Sequence, residues 1–330
     1  FVLDSDGAIV ARDKTPCEVV NPQPGFFEVD VETQWWGGFL RILAHLAQNV
    51  PLQRIRGIAV SSVCGTFVPV DTQFRPVHNA ILYGIDTRAV DINEELNRTF
   101  AESLDALGGA FNSHSVLPKV LWLRKHKHEV YKRIEWIVES NNYLSGRLTG
   151  AVAWDRPTAA SARLLDYEAL DFPRTLFDQL NIPARFFPRV VWPLDTVGNV
   201  TERAAAETGL SAGCPVVQGA CDINAEAIAC GGTSPGNVVA VFGSTLSVLY
   251  TISEQRRVPG FMTGISVLPG TYRLGAATSS GARFLNTMDT LWAFDPESPG
   301  TIEQSGPTGM IILPYLDGAR SPFDEAEATA

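Results

Sequence analysis

The sequence predicts an α/β protein of about two domains. Three observations indicate this fold class: the length of the chain, the alternation of two apolar patterns, and small polar residues at strand ends. The chain has 330 residues, 45% of them hydrophobic and 19% charged, so each domain can bury a core. Short apolar runs, typical of buried strands, alternate with segments in which apolar residues recur at helical spacing. Glycine, serine and threonine follow several of these runs.

The elements are predicted from these patterns in chain order. Strands are predicted over residues 1–3, 8–11, 55–60, 67–70, 81–83, 215–218, 237–242, 246–252 and 272–277. Helices are predicted over residues 30–48, 88–101, 118–127, 143–148, 223–230 and 283–291. Ser115 and Asn142 are expected to cap the third and fourth of these helices, and Gly150 is expected to end the fourth.

The domain boundary is predicted near residue 215. Residues 171–200 are rich in proline and weakly periodic, as is typical of a segment that joins domains. The first domain would therefore cover residues 1–215, and the second residues 216–330.

Charge and composition exclude several classes of protein. With 26 basic and 36 acidic residues the formal net charge is −10, so no global positive field is available for nucleic acid or anionic lipid. No uninterrupted apolar run reaches the roughly 18 residues of a membrane helix, and Asp4 and Asp6 stand where a signal peptide would be basic and then apolar. We expect a cytoplasmic protein without nucleic-acid or membrane partners.

No metal site is predicted from cysteine or histidine. The five cysteines include no C-x-x-C pair, which argues against both a disulfide framework and a zinc site. His126 and His128 lie two residues apart, on different faces of any helix, so they cannot both ligate one ion from it.

Two segments of the second half are candidates for phosphate binding. In the turn formed by Gly243, Ser244 and Thr245, the glycine lets backbone amides approach an anion and the two hydroxyls can donate. Ser280 and Gly281 lie at a predicted helix start, where free amides and the helix dipole favour phosphate. The alternatives are an ordinary hairpin turn and an ordinary helix cap.

A candidate general base stands between a strand and a helix. Asp222 follows the predicted strand that starts at residue 215, and the positive end of the next helix would keep its carboxylate ionised. Such a group can take a proton from a hydroxyl as that hydroxyl attacks. The alternative is that Asp222 is only an N-cap.

Seven segments of the chain form a recognisable series. They are residues 22–30 (PQPGFFEVD) with Trp35-Trp36 after them, 81–89 (ILYGIDTRA), 118–124 (PKVLWLR), 143–150 (YLSGRLTG), 218–225 (QGACDINA), 241–245 (VFGST) and 313–322 (LPYLDGARSP). Together they span nearly the whole chain. In these segments and in their order, the chain resembles the FGGY family of carbohydrate kinases, and within it the xylulokinase-like pentulose kinases.

The resemblance implies an actin-like ATPase (ribonuclease H-like) fold, in which two α/β domains surround a central cleft. It implies a sugar-binding first domain, an ATP-binding second domain, Mg²⁺ with the nucleotide, and phosphorylation of a sugar hydroxyl with Asp222 as the base. It also implies a sequence that is incomplete at both ends, since the family's first phosphate loop and its adenine-binding region would lie outside. A homodimer is compatible with it.

The sugar site follows from the resemblance as well. It would include Val63, Cys64, Asp86, Arg88 and Asn224. The loop that carries Val63 reads Gln-Met-His-Gly in xylulokinases and Ser-Val-Cys-Gly here, so a histidine that would orient the sugar is replaced. For Asp86 and Arg88, the alternative is a helix cap with its salt-bridge partner.

Several functions compete. Xylulose is the expected substrate, while ribulose, a hexulose, gluconate, glycerol or another polyol are alternatives within the family. A non-catalytic sugar- or nucleotide-binding relative is an alternative of another class. An α/β dehydrogenase would need G-x-G-x-x-G after a strand, and the sequence contains none.

Overall fold

A computed structural model describes residues 1–243, 246–278 and 281–292. The chain divides into two compact units, residues 1–225 and residues 226–330, and each is described by itself. The predicted strand at residue 215 is present and pairs with strands of the first unit. The domain boundary near residue 215 stays a prediction.

The first unit alternates short strands with helices. Its strands are β1 (Val2–Leu3), β2 (Ile9–Ala11), β3 (Glu28–Val29), β4 (Ile58–Ser62), β5 (Phe67–Val70), β6 (Ala80–Ile81), β7 (Trp136–Glu139), β8 (Trp154–Asp155), β9 (Val190–Val191), β10 (Thr196–Asn199) and β11 (Pro215–Cys221). Its helices are α1 (Gly37–Leu46), α2 (Val90–Thr99), α3 (Val116–His126), α4 (His128–Lys132), α5 (Ser140–Thr149), α6 (Arg156–Ser161), α7 (Arg174–Gln179) and α8 (Glu202–Thr208). Helix α9 (Asp222–Ala229) follows β11 and reaches into the second unit.

Two sheets position the other elements of the first unit. One has the strand order β3-β6-β5-β7, with antiparallel neighbours throughout. The other has the order β10-β11-β4, in which β11 is antiparallel to β10 and parallel to β4. Strand β5 reads FVPV and is buried at every position, as expected of a continuous apolar run covered on both faces.

Local signals account for several helix ends. The periodicity over residues 30–48 is confirmed by α1, which buries Leu43 and Leu46 and is preceded by a π-helical turn, Glu32–Trp36. Helix α6 is capped by the Asp155 carboxylate, which accepts a hydrogen bond from the Thr158 amide at 2.9 Å. Such caps satisfy amides that have no partner within the helix.

One of the predicted caps is confirmed in position and the other is wrong, whereas the predicted helix stop is confirmed. Ser115 occupies the N-cap position of α3, but its hydroxyl accepts from the amide of Asn112 at 3.0 Å and not from a helix amide. Asn142 lies inside α5, because that helix already begins at Ser140. Gly150 ends α5 with a left-handed φ of 76°, as expected of a glycine stop.

The proline-rich stretch 171–200 packs into the first unit. It contains α7, β9 and β10, and its rings of Phe172, Phe177 and Phe187 are buried against one another, with 5.1 Å between the centroids of Phe177 and Phe187. The weak periodicity reflects short elements that are held by aromatic packing.

The described part of the second unit is one antiparallel sheet followed by a helix. Its elements are β12 (Val238–Phe242), β13 (Leu246–Ile252), β14 (Met262–Ile265), β15 (Tyr272–Thr278) and α10 (Ala282–Trp292). The strand order is β12-β13-β15-β14. The hairpin β12–β13 is in register from Phe242–Leu246 to Val238–Tyr250, which confirms the predicted pair of strands.

In the ranges that the structure describes, no helix combines the length and apolar character needed to cross a membrane. The five cysteines all lie in those ranges, and no disulfide joins them. Cys17 and Cys230 are exposed, Cys64 is half-buried, and Cys214 and Cys221 are buried.

Candidate active site

The parallel strands β4 and β11 end side by side. Ala220 pairs with Ser61 and Cys221 with Ser62, so the loop after β4 and the start of α9 leave the sheet at the same place. We call this the parallel edge, residues 61–65 and 221–222. In open α/β sheets, ligands bind outside the carboxyl ends of parallel strands. The structure therefore brings the predicted base and part of the predicted sugar site to one edge.

Asp222 is exposed at this edge. It is the first residue of α9, and its Oδ1 accepts a hydrogen bond from the amide of Ile223 at 2.8 Å. The exposed carboxylate can be reached by a substrate hydroxyl. Asn224 is instead fully buried, with its Nδ2 3.2 Å from Cys221 Sγ. Its contact with substrate stays a prediction.

The loop after β4 packs tightly against two other loops. Gly65 has a φ of 69°, and a Cβ there would lie 3.0 Å from the carbonyl oxygen of His114 and 3.4 Å from Tyr83 Cβ. Only glycine fits both the conformation and the space. Val63 is 43% exposed and Cys64 half-buried, so both predicted sugar residues are open to solvent at this edge.

Sequence reasoning misses two residues beside this loop. Tyr83 and His114 approach each other with ring centroids 5.2 Å apart and an interplanar angle of 61°. The ring of His114 would also meet a Cβ placed on Gly84, at 3.2 Å. No motif points to His114, because its position depends on a contact between segments distant in the chain.

Asp86 and Arg88 form a buried ion pair. Arg88 Nη2 lies 2.8 Å from Asp86 Oδ2 and 2.9 Å from Glu28 Oε1, and the side chains of Asp86 and Arg88 are 0% exposed. The guanidinium stacks 4.4 Å from the centroid of Phe26 and 5.0 Å from that of Trp122. The salt bridge considered from the sequence is present, but Asp86 is not the cap of α2, whose N-cap is Ala89.

The role of this pair as a sugar contact stays a prediction. In the structure both charged groups are directed at protein atoms, and removal of either would leave the other charge buried. The pair therefore accounts for the local packing whether or not a sugar reaches it.

A buried lysine ties the neighbouring loops together. Lys119 Nζ donates to the carbonyl oxygens of Leu82 and Ser113, both at 2.7 Å. Burial lowers the pKa of Lys119 to about 8 from its ordinary value of 10.5; the charge of Asp86 acts against this, and that of Arg88 with it. Lys119 thus fixes the backbone on both sides of the contact between Tyr83 and His114.

Behind the parallel edge lies a buried carboxyl pair. Glu139 ends β7, and its Oε2 accepts a hydrogen bond from the amide of Asp155 at 3.3 Å. Burial, and then the neighbouring Asp155 carboxyl, raise the pKa of Glu139 well above its ordinary value of 4.5, and Cys221 acts in the same direction. This shift favours the protonated form of Glu139 and so opposes the build-up of two negative charges in the pair.

In the second unit, Gly243 and the start of α10 lie at one end of the sheet. Leu246 pairs with Phe242 on one side and with Thr278 on the other, so the ends of β12 and β15 flank the start of β13. The amide of Ala282 donates to the carbonyl oxygen of Gly243 at 2.8 Å. We call this the hairpin edge, residues 243, 278 and 281–282.

The hairpin edge brings together two of the predicted phosphate-binding residues. Gly243 is exposed, and Gly281 is buried directly before α10. Ser244, Thr245 and Ser280 lie outside the described residues. Their hydroxyl contacts stay predictions.

Within residues 1–243, 246–278 and 281–292, no three His, Cys, Asp or Glu side chains lie close enough together to hold a metal ion. A magnesium ion in a nucleotide site is bound chiefly by phosphate oxygens and water, with one or two carboxylates. The exposed carboxylate of Asp222 fits such an arrangement, because it needs no preformed cluster.

Residues 1–229 match the model of the FGGY family of carbohydrate kinases, N-terminal domain. This match covers more than half of the chain. The chain belongs to the FGGY family of carbohydrate kinases. Its segments at residues 81–89, 143–150 and 218–225 lie within the matched region, as the resemblance of the sequence predicts.

The curated relatives of this FGGY chain include a xylulose kinase and an L-xylulose/3-keto-L-gulonate kinase. It is 26% identical over 339 residues to the xylulose kinase of Staphylococcus epidermidis, covering 99% of this chain and 67% of the relative. It is 26% identical over 337 residues to the L-xylulose/3-keto-L-gulonate kinase of Escherichia coli, covering 98% of this chain and 67% of the relative. The FGGY chain thus spans about two thirds of the length of these proteins.

A solved structure supports the fold of the FGGY chain. The xylulose kinase from Rhodospirillum rubrum superposes with a TM-score of 0.82 at 27% identity, covering 94% of this chain and 66% of that one. The predicted α/β class and the actin-like ATPase fold are confirmed by this likeness and by the family match. Membership of this family also confirms that the chain is of the carbohydrate kinase class of enzymes.

Proposed function

We propose that this chain phosphorylates a sugar hydroxyl with ATP, with a pentulose such as xylulose as the substrate. The observation that carries the proposal is the parallel edge, where the pairing of Cys221 with Ser62 places Asp222 beside the loop of Val63 and Cys64. A base and a sugar-binding loop at adjacent strand ends suit proton abstraction from a bound hydroxyl.

In the proposed step, the Asp222 carboxylate accepts the proton of the attacking sugar hydroxyl. The sugar oxygen forms a bond to the γ-phosphorus, and the bond between that phosphorus and the oxygen bridging to the β-phosphate breaks, so that ADP leaves. Phosphoryl transfer depends mainly on positioning and on charge stabilisation. The chain's task is therefore to hold hydroxyl and phosphate in line and to remove one proton.

The hairpin edge is the proposed phosphate cradle. Gly243 and Gly281 bring backbone close to the site of an anion without a side chain in the way, and a helix start favours negative charge. The proposal adds the hydroxyls of Ser244, Thr245 and Ser280 as donors. Magnesium bound to the phosphates supplies neutralisation of charge.

The substrate is proposed from the names of the relatives and from the loop after β4. Two relatives are named for xylulose or L-xylulose, and the second is named for a keto-gulonate as well. The loop carries Val63 and Cys64 and no histidine. A pocket with an apolar side chain and a thiol here would orient the sugar differently from one with an imidazole.

The proposal is tested by measuring ATP consumption by the full-length protein with pentuloses, hexuloses and polyols. We expect stimulation by a ketose sugar and ADP release in equal amount to sugar phosphate. The Asp222→Asn variant should lose about 10²- to 10⁴-fold in turnover, because general-base catalysis is worth that much. The control is Glu226→Gln, which removes an exposed carboxylate one turn later on α9 and should leave turnover unchanged.

Two outcomes would overturn the proposal. Near wild-type turnover in Asp222→Asn would reject the base, and ATP binding without stimulation by any sugar would favour a non-catalytic binding protein.

A homodimer and a cytoplasmic location belong to the same proposal. Light scattering on the purified protein and fractionation of cells test them.

A further inference from the structure

The first turn of α5 bonds to both strands of the parallel edge. Ser140 opens this helix and is 4% exposed. Its amide donates to the carbonyl oxygen of Thr66 at 3.0 Å, and its hydroxyl lies 2.7 Å from Ser62 Oγ and 2.9 Å from the carbonyl oxygen of Val63. One residue thus holds both ends of the loop that carries the predicted sugar contacts.

The next residue of the helix reaches the other strand. Asn141 is 0% exposed, and its Nδ2 donates to the carbonyl oxygen of Gln218 on β11 at 3.2 Å. Its Oδ1 accepts from the amide of Asn142 at 2.7 Å, which fixes the orientation of the amide group. The same helix start therefore bonds to β4 on one side and to β11 on the other.

We propose that Ser140 and Asn141 are positioning residues, which fix the sugar loop and the strand leading to Asp222 relative to each other. This inference rests on the proposed function. Neither side chain needs to touch substrate, since both are buried and bonded to protein atoms. Their effect is on the geometry of the groups that do.

The rest of the helix explains why its start can serve as a fixed point. Tyr143 is 0% exposed, and its hydroxyl donates to Glu32 Oε2 at 2.9 Å. Arg147 binds the same carboxylate at 2.6 Å and stacks 4.4 Å from the ring centroid of Trp36. These contacts anchor the helix to a different part of the unit, so its first turn has little freedom to follow a displaced loop.

The inference is tested with Ser140→Ala, which deletes the hydroxyl bonds to Ser62 and Val63 and keeps the backbone bond to Thr66. We expect the KM for the sugar to rise about ten-fold, as the loss of about one to two net hydrogen bonds predicts, while the KM for ATP stays the same. The control is Ser145→Ala, a 0% exposed serine of the same helix whose hydroxyl accepts from Asn142 Nδ2 at 3.1 Å, away from the sugar loop. It should change neither KM.

A second readout does not depend on activity. Cys64 lies in the loop and is half-buried, whereas Cys17 is exposed and distant in sequence. In Ser140→Ala, alkylation of Cys64 measured against that of Cys17 by mass spectrometry should accelerate about ten-fold, because the loop is no longer held. Ser62→Ala removes only the bond between the two hydroxyls. It should also accelerate the alkylation of Cys64, but by less than Ser140→Ala does.

The outcomes separate the inference from the proposed function. If the wild type consumes no ATP with any sugar, the proposed function fails, and the alkylation rates still decide whether Ser140 holds the loop. If Ser140→Ala loses thermal stability but keeps the sugar KM and the Cys64 rate of the wild type, the residue is merely structural and the inference is rejected. Equal changes in Ser145→Ala would reject it as well.

Discussion

The parallel edge and the hairpin edge are built in opposite ways. At the parallel edge, the buried side chains of Ser140 and Asn141 bond to β4 and β11. Beside the hairpin edge, Phe242 is 61% exposed, and Gly243 is joined to Ala282 by a bond between two backbone atoms. An edge that must aim a side chain needs such side-chain support, whereas one that offers backbone amides can rely on sheet register.

This difference predicts that substitutions near the parallel edge reduce the stability of the protein more than substitutions in the strands of the second unit. The largest effect is expected at Gly219 in β11, where φ is 76° and a Cβ would overlap the carbonyl oxygen of Val60. Gly219→Ala should lower the free energy of unfolding by about 4 kcal/mol, because backbone strain and a steric clash add. Gly213→Ala, with a φ of 84° but open space around it, should cost about 1 kcal/mol.

Urea denaturation of the two glycine variants measures the difference. If both variants lose the same free energy of unfolding, the positive φ alone accounts for the loss, and the contact between β11 and β4 is not tightly packed. That result would remove the main contrast between the two edges.

A smaller effect is expected from one substitution made in both units. Val216 in β11 is 0% exposed and Val238 in β12 is 61% exposed. Val216→Ala should cost about 2 kcal/mol through lost burial and a residual cavity, and Val238→Ala less than about 0.5 kcal/mol. Hydrogen exchange of the amides in each strand checks this, and similar costs at the two sites would contradict the comparison.

The smallest effect, counted per pH unit, is a pH dependence that arises from Glu139, a neighbour of Cys221 at the parallel edge. The pKa of Glu139 is raised on folding above its ordinary value of 4.5, so the folded state binds more protons above that pH. The stability contributed by the protonated carboxyl is complete below about pH 4.5 and is lost as the pH rises through the folded pKa. Glu139→Gln keeps a neutral donor beside Asp155. As the pH rises, the free energy of unfolding of this variant should increase relative to that of the wild type, by at most about 1.4 kcal/mol per pH unit.

Urea denaturation between pH 5 and pH 8, compared between wild type and variant, measures this trend. The control is Glu135→Gln, which removes a half-buried carboxyl 3.2 Å from Arg185 Nε. If the difference in the free energy of unfolding between wild type and Glu139→Gln stays constant over that range, folding does not raise the pKa of Glu139.

The sequence predicts elements well where periodicity is long or turn residues are clear. The amphipathic α1 and the hairpin β12–β13 are examples, since each signal lies within the element itself. Strands β7 and β14 are missed; each is only four residues long, and β7 pairs with β5, which is distant in the chain. Asn142 fails as a cap because tertiary bonds start α5 two residues earlier.

For the candidate site, the sequence by itself determined the family and which residues are candidates for the base, Asp222, and for phosphate binding, because these depend on residue type and order along the chain. Only the tertiary structure decided that Asp222 lies beside the loop of Val63, and that Arg88 is enclosed by aromatic rings. It alone shows that the Ser140 hydroxyl bonds to Ser62 and Val63. Each of these contacts joins residues that are far apart in the chain. Long-range strand pairing and burial bring such residues together, and the local sequence pattern does not reveal them.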